Sequence, residues 1–354
     1  MAGKIQIIVG GQFGSEGKGH AAAELAAREG EMLAIRTGGP NAGHTAWGHT
    51  GMRKGEPGWA QEFKLRTVPV AAVVNPQAMV ALASKSLIQL DLAEREVKET
   101  GVPQLLVDQS CTILEPAHIA IEEGDESLAW GSTRKGIGAA RMDRVHRTAR
   151  TFWELGGVHY ERLIPCDVAE LARQYLNAGN TVQIEAAQGY GLGLHTDFYP
   201  KTTSADCRAI DALADVGISP WEFPDATLEV WVVVRPYPIR VAGDSGPLRL
   251  ETSWEALGLP PERTTVTRKI RRVGAWDPIL VSDAVRANGI HGVRLWMNMA
   301  DHVFPGLQGL TSLDGVFGRA RTQVDDWVNT VELQTGAHVE ALGTGPDTAI
   351  FLGE

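Results

Sequence analysis

The sequence predicts an α/β fold built on a large, mostly parallel central sheet flanked by helices. Three observations carry this expectation. Near the N-terminus an apolar run, Ile5-Gln-Ile-Ile-Val9, leads into the glycine-rich stretch Gly10-Gly-Gln-Phe-Gly-Ser-Glu-Gly-Lys-Gly19 and then into Ala21-Ala-Ala-Glu-Leu-Ala-Ala-Arg28. That order reads as buried strand, turn and helix. Helix-like and strand-like segments then alternate through most of the chain. Finally, Thr227-Leu-Glu-Val-Trp-Val-Val-Val234, rich in β-branched residues, is the strongest strand candidate in the later part of the chain.

The elements follow in order. Apolar side chains recur at helical spacing over 77–98, before Gly101-Val-Pro103, and Leu105-Leu-Val107 reads as a short strand. Residues 168–176 form a helix stopped by Asn177-Ala-Gly179, and Thr181-Val-Gln-Ile-Glu185 resumes as a strand. A last helix is expected over 321–335, then a short strand and the turn Gly343-Thr-Gly-Pro-Asp347. No repeat or linker interrupts the pattern, so one domain spanning 1–354 is expected. Its long loops, at about 36–66, 131–147, 189–208 and 261–274, are of the kind that form sites.

Bulk composition narrows the function. Hydrophobic residues make up 44% of the 354 and charged residues 21%, a globular balance. The formal net charge of −10 argues against a general nucleic-acid binder. No apolar run reaches membrane-spanning length. Cys111, Cys166 and Cys207 are odd in number and widely spaced, which fits neither a zinc pattern nor a disulfide framework. With Met1-Ala-Gly-Lys running straight into the first strand, the expected location is the cytoplasm, the host's if the chain is phage-encoded.

Five segments concentrate glycine, polar and ionisable residues. The first, 10–19, places backbone N–H groups and a helix N-terminus around an anion, with Lys18 as counter-charge. It departs from the P-loop pattern, because Gln12 stands where the first glycine would be and Gly19 follows the lysine. The others are Arg36-Thr-Gly-Gly-Pro-Asn-Ala-Gly-His-Thr45, Gly131-Ser-Thr-Arg-Lys-Gly-Ile-Gly138, Glu185-Ala-Ala-Gln-Gly189 and Thr264-Thr-Val-Thr-Arg-Lys-Ile-Arg-Arg-Val-Gly274. Singly, each has a plain reading: a loop histidine at His44, a solvated basic face at 268–272, a loop-bracing glutamine at Gln188.

Together and in this order, they resemble adenylosuccinate synthetases, nearly end to end. The resemblance implies that family's P-loop-like fold, a homodimer, and a two-step ligation with Mg²⁺. A triphosphate first phosphorylates the 6-oxygen of a purine monophosphate, and the amine of L-aspartate then displaces that phosphate at C6. It implies catalytic roles for positions 15, 18, 44 and 188, here Ser15, Lys18, His44 and Gln188. Gly14, Glu16, Gly17, Lys18 and Gly19, with Gly43, His44 and Thr45, match positions around the triphosphate. Asp301, Gly343, Gly345 and Pro346 match positions around the base end of that donor. Ser15, Asn41, Ser132, Thr133, Gln188 and Thr203 match positions that grip the purine monophosphate, with Arg147 reaching its 5′-phosphate from the neighbouring subunit. Thr267, Lys269 and Arg271 match the loop that recognises the aspartate carboxylates. Ser15 and Gly43 match the Mg²⁺ positions.

The departures carry as much meaning. Ser15 replaces an aspartate that removes the N1 proton of IMP and ligates Mg²⁺, and a serine hydroxyl is no base at neutral pH without a partner. A shorter neutral side chain leaves room for the 2-amino group of guanine and can accept its hydrogen bond. This substitution resembles the bacteriophage PurZ branch of the family. That branch uses dGMP and makes N6-succino-2-amino-2′-deoxyadenylate, a precursor of diaminopurine DNA. Asn298-Met-Ala-Asp301 stands where the family reads GTP through Thr-Lys-Leu-Asp, which points to ATP or dATP as donor. Lys269 replaces an arginine, losing its bidentate fork. The expected function is therefore aspartate ligation to dGMP. The rival expectations are an IMP- and GTP-using adenylosuccinate synthetase and a catalytically silent nucleotide-binding protein.

Overall fold

The computed structural model describes residues 2–49, 51–52, 58–128, 132–155, 160–263 and 269–353. Its centre is a sheet of ten strands: β1 (Lys4–Gly10), β2 (Met32–Arg36), β3 (Ala78–Leu82), β4 (Leu105–Asp108), β5 (Leu163–Cys166), β6 (Thr181–Glu185), β7 (Thr227–Val234), β8 (Val293–Met297), β9 (His338–Gly343) and β10 (Ala349–Phe351). Their spatial order is β10-β9-β8-β7-β1-β6-β2-β3-β4-β5. Every pairing is parallel except β9 with β10.

β1 lies in the middle, hydrogen-bonded on both sides and covered on both faces, which is why its sequence is almost continuously apolar. Its one polar interior residue is accounted for. Gln6 faces Gln183 on β6 and Glu229 on β7 in register, and the side-chain bonds Gln183 Nε2 to Gln6 Oε1 (2.8 Å) and Gln6 Nε2 to Glu229 Oε2 (3.0 Å) join the three strands. A one-residue slip would break both bonds and turn these buried polar side chains to the opposite face, so the layer favours a single strand register.

Two cores cover the faces. One packs Ile5, Ile7 and Val9 against helices Val168–Asn177, Ala209–Val216, Pro278–Ala287 and Gly318–Thr335. The other packs Ile8, Ala34 and Val233 against α1 (Lys18–Ala26) and the helix Leu90–Thr100. The alanines of α1, Ala21, Ala22, Ala23 and Ala26, are buried and small, so the helix axis lies close to the sheet. Among the described residues no helix is long and apolar enough to cross a membrane.

One expectation needs correction. The apolar spacing over 77–98 reads as a single helix, but residues 78–82 are β3 and the helix begins at Leu90. Ala78-Met-Val-Ala-Leu82 is too short a run for its period to decide, and pairing with β2 and β4 on either side settles it as strand. The 36–66 loop also carries a hairpin, His44–Gly48 with Gln61–Leu65.

Candidate active site

The order of the sheet turns outward from β1 to β6 on one side and to β7 on the other. In parallel sheets such a reversal opens a crevice at the carboxyl ends of the strands. The loops after β1, β2, β6, β7, β8 and β9 all emerge there, and four of the five predicted segments lie on them; the fifth, 131–138, comes between β4 and β5.

The glycine-rich loop runs from Gly10 to the first residue of α1, Lys18. Gly14, Ser15 and Gly17 have φ of 80°, 60° and 86°, a left-handed path that only glycine adopts without strain. Ser15 is exposed at the tip. Glu16 turns its carboxylate inward, where it accepts the N–H groups of Gln12 (3.1 Å) and Gly14 (2.8 Å) and pairs with Lys18 Nζ (2.8 Å). The side chain expected beside the triphosphate is thus the internal counter-charge of Lys18. Gly19 is a close-approach position: a Cβ there would lie 2.5 Å from the Thr45 carbonyl oxygen and 2.9 Å from His44 Cβ. The absence of that carbon lets α1 rest against the hairpin that bears His44.

His44 is buried, and its Nδ1 is hydrogen-bonded to Glu185, the last residue of β6. Glu185 is wholly buried and also accepts from Arg36 and from the Val70 N–H at 2.8 Å. Burial pushes its carboxyl upward, but Arg36 and His44 outweigh that and hold it below the usual carboxylate range. Burial, and then the Arg36 guanidinium, push the imidazole down to about 4 against the pull of Glu185. Before ligands bind, His44 is therefore neutral at physiological pH, with its Nδ1 proton donated to Glu185 and Nε2 left as an acceptor.

Asn41, Gln188 and Thr203 converge on one pocket between the loops after β2 and β6, which also admits Thr37, Cys207, Arg141 and Asp215. Gln188 takes a left-handed φ of 64° at the turn out of β6. Ser132 is half-buried and Thr133 exposed, and neither lines this pocket. Arg147 caps the far end of the helix Ile137–His146, exposed and outside the pocket of its own chain.

The donor-side residues meet through Asn298. Its Nδ2 donates to the carbonyls of Glu16 (2.8 Å) and Gly17 (2.9 Å), and its Oδ1 accepts from Trp296 Nε1 (2.9 Å). Gly343 packs directly on it, since a Cβ there would fall 2.2 Å from Asn298 Oδ1. Asp301 lies in the short helix Ala300–Val303 just beyond, and Gly345 and Pro346 form the turn after β9. On the other side, Arg235 at the end of β7 is 1% exposed. It donates to the Ser15 carbonyl (3.1 Å), pairs with Glu262 and lies over the Tyr237 ring. The Arg271 N–H in turn donates to the Glu262 carbonyl at 2.8 Å, so Arg235 ties the phosphate loop to the basic loop. Lys269 is exposed, and Thr267 lies outside the described residues.

Sequence reasoning left Glu185, Arg36, Arg235 and Asn298 without roles. All four sit at the end of a buried strand or directly after it: Arg36 and Glu185 end β2 and β6, and Arg235 and Asn298 directly follow β7 and β8. A polar residue at that register was the available signal. Among the described residues no cluster of three or more His, Cys, Asp or Glu side chains could cage a metal ion.

Backbone amides, Lys18 and a carboxylate–imidazole pair at the carboxyl edge of a parallel sheet are the equipment with which α/β enzymes handle nucleotides. Comparison sharpens the class. The family model "Adenylosuccinate synthetase" matches residues 7–163 and 157–308. The adenylosuccinate synthetases of Methanococcus aeolicus and Methanocaldococcus jannaschii are 31% and 32% identical over 351 residues, covering 96% of this chain and 96% and 94% of theirs. A solved structure of the cyanophage S-2L succinoaminodeoxyadenylate synthetase PurZ, bound to dGMP and dATP, superposes with a TM-score of 0.81 at 26% identity. It covers 98% of this chain and 94% of that one. The fully ligated Plasmodium falciparum adenylosuccinate synthetase shares the fold, with a TM-score of 0.80 at 18% identity over 99% of this chain and 100% of that one. The chain belongs to the adenylosuccinate synthetase family, ligases that form a C–N bond in purine biosynthesis.

Proposed function

We propose that this enzyme joins L-aspartate to C6 of dGMP, consuming ATP or dATP, and yields N6-succino-2-amino-2′-deoxyadenylate. The observation that carries the reading is Ser15, a short neutral side chain exposed at the tip of the phosphate loop where the family has aspartate. The cyanophage PurZ structure, described as holding dGMP and dATP, supports it. A second reading, IMP as acceptor with GTP as donor, draws on the archaeal relatives, which are 31–32% identical.

The chemistry follows from the neutral state of His44. Phosphorylating the 6-oxygen requires loss of the N1 proton, and Ser15 cannot take it. His44 Nε2 accepts it, and the resulting imidazolium, held by Glu185, stabilises the charge that develops on the 6-oxygen. The oxygen attacks the γ-phosphorus and the nucleoside diphosphate departs, with Lys18 and the loop amides holding the donor phosphates. Entry of those phosphates counters Lys18, one of the charges that hold the imidazole neutral. The aspartate amine then attacks C6, the C6–O bond breaks, and inorganic phosphate leaves with that oxygen and the bonding electrons and takes up the amine proton. The basic loop bearing Thr267, Lys269 and Arg271 holds the aspartate carboxylates, and Arg147 serves the partner subunit of a homodimer.

Mg²⁺ fits this donor set as an ion brought in by the triphosphate. The protein offers neutral oxygens, the Ser15 hydroxyl and the Gly43 carbonyl, and no carboxylate cage among the described residues. When bound, it neutralises phosphate charge as the phosphoryl group moves.

The test is aspartate-dependent phosphate release with ATP and Mg²⁺, with mass detection of the product. A product heavier than dGMP by the aspartyl residue supports the reading. An IMP-derived adenylosuccinate in its place supports the second.

A further inference from the structure

The purine monophosphate pocket contains a guanidinium that no described residue neutralises at close range. Arg141 lines it from the helix Ile137–His146, opposite Asn41, Gln188 and Thr203. Its Nη1 donates to the Ser204 carbonyl at 3.3 Å, which holds the fork beside Thr203. Its Nε is buried with no hydrogen-bond partner. Among the described residues no carboxylate lies within ion-pair distance of it.

Of the other charged groups of the pocket, Asp206 and Arg208 are engaged in pairs of their own, while Asp215 faces Arg141 and Lys85. Asp206 holds His195 through Nδ1 (2.8 Å) and the backbone N–H (2.9 Å), and Arg208 forks onto Asp211 (2.9 and 3.1 Å). The Cys207 thiol is pushed up to about 12 by burial and so is neutral. Asp215 shares the pocket with Arg141, and burial raises its carboxyl to about 6 even though Arg141 pulls it down. Burial likewise lowers the pKa of Arg141, with Asp215 opposing it only in part. A half-buried guanidinium whose enclosed Nε–H has no partner is costly unless an anion completes it, and its planar fork matches phosphate.

We infer that Arg141 receives the 5′-phosphate of the purine monophosphate, a cation from the chain that owns the pocket, complementary to the one expected from Arg147 of the partner subunit. The inference rests on the reading of this pocket as the acceptor site. A carboxylate of L-aspartate is the other anion that could reach it, and the experiment separates the two.

Calorimetric titration of dGMP, IMP and deoxyguanosine into the wild type, R141K and R141M is combined with KM for L-aspartate. R141M is expected to weaken binding of either monophosphate roughly 10- to 100-fold. Deoxyguanosine binding and KM for aspartate are expected to stay within about twofold, with R141K intermediate because it keeps the charge and loses the fork. If R141M fails to fold, R141K alone must show a selective loss of monophosphate binding. Unchanged dGMP affinity, an equal loss for dGMP and deoxyguanosine, or a rise confined to KM for aspartate overturns the inference. A wild type that binds neither dGMP nor IMP overturns the acceptor-site reading, and this inference falls with it.

Discussion

Replacing His44 with glutamine tests the electrostatics of the site without relying on turnover. A histidine whose folded pKa is about 4, against 6.5 for the ordinary side chain, binds its proton later than the unfolded chain does. Its contribution to stability is present above 6.5 and lost as pH falls towards 4. Integrating between pH 7 and pH 5 gives a loss of about 2 kcal/mol from this one group. Asp215 works the other way. Its folded pKa, about 6, lies above the ordinary 3.8, so its protonation returns roughly 1 kcal/mol over the same interval. The net acid sensitivity of the wild type is therefore small and uninformative. Comparison with H44Q cancels Asp215 and every group not in contact with His44, and Glu185 stays held below the usual carboxylate range by Arg36. Glutamine keeps a donor for Glu185 but cannot titrate, so H44Q should gain about 2 kcal/mol relative to the wild type between pH 7 and pH 5. Urea unfolding at the two pH values measures this. Parallel pH dependences for the two proteins would refute the assignment of a neutral, buried His44.

Other perturbations report on the surrounding contacts. Gly19→Ala pushes a carbon against the backbone at Thr45, so a loss of roughly 1–3 kcal/mol is expected by denaturation, along with a fall in kcat as α1 and the His44 hairpin separate. Arg235→Met frees the phosphate loop from the basic loop and should raise KM for both donor and aspartate in steady-state kinetics. Because Glu262 is 35% exposed and can rehydrate, the stability loss should stay near 1–2 kcal/mol rather than the larger figure for a stranded buried charge. Ser15→Asp should move the dGMP-to-IMP ratio of kcat/KM towards IMP by about tenfold or more, and an equal effect on both would remove Ser15 from base selection.

The fold was legible where composition left no choice. β1 and β7 are buried over most of their length on both faces, and their apolar runs announce it. The 78–82 strand was not, because a short apolar run beside an amphipathic helix merges into one period until its neighbours pair with it. At the site, the phosphate loop, His44 and Gln188 stood out through glycine spacing and residue type. Arg36 and Arg235 did not, because what matters about them is a partner distant in sequence. Glu185 is 149 residues from Arg36, and Ser15 is 220 residues from Arg235. The inward turn of Glu16 was equally hidden, since only the left-handed loop path brings its carboxylate under the Gln12 and Gly14 amides.

The central claim is that Ser15 commits this member of the family to guanine. The most direct measurement is the ratio of kcat/KM for dGMP to that for IMP, with saturating L-aspartate, ATP and Mg²⁺. The account predicts a ratio well above one; a ratio below one, with IMP turned over efficiently, would contradict it.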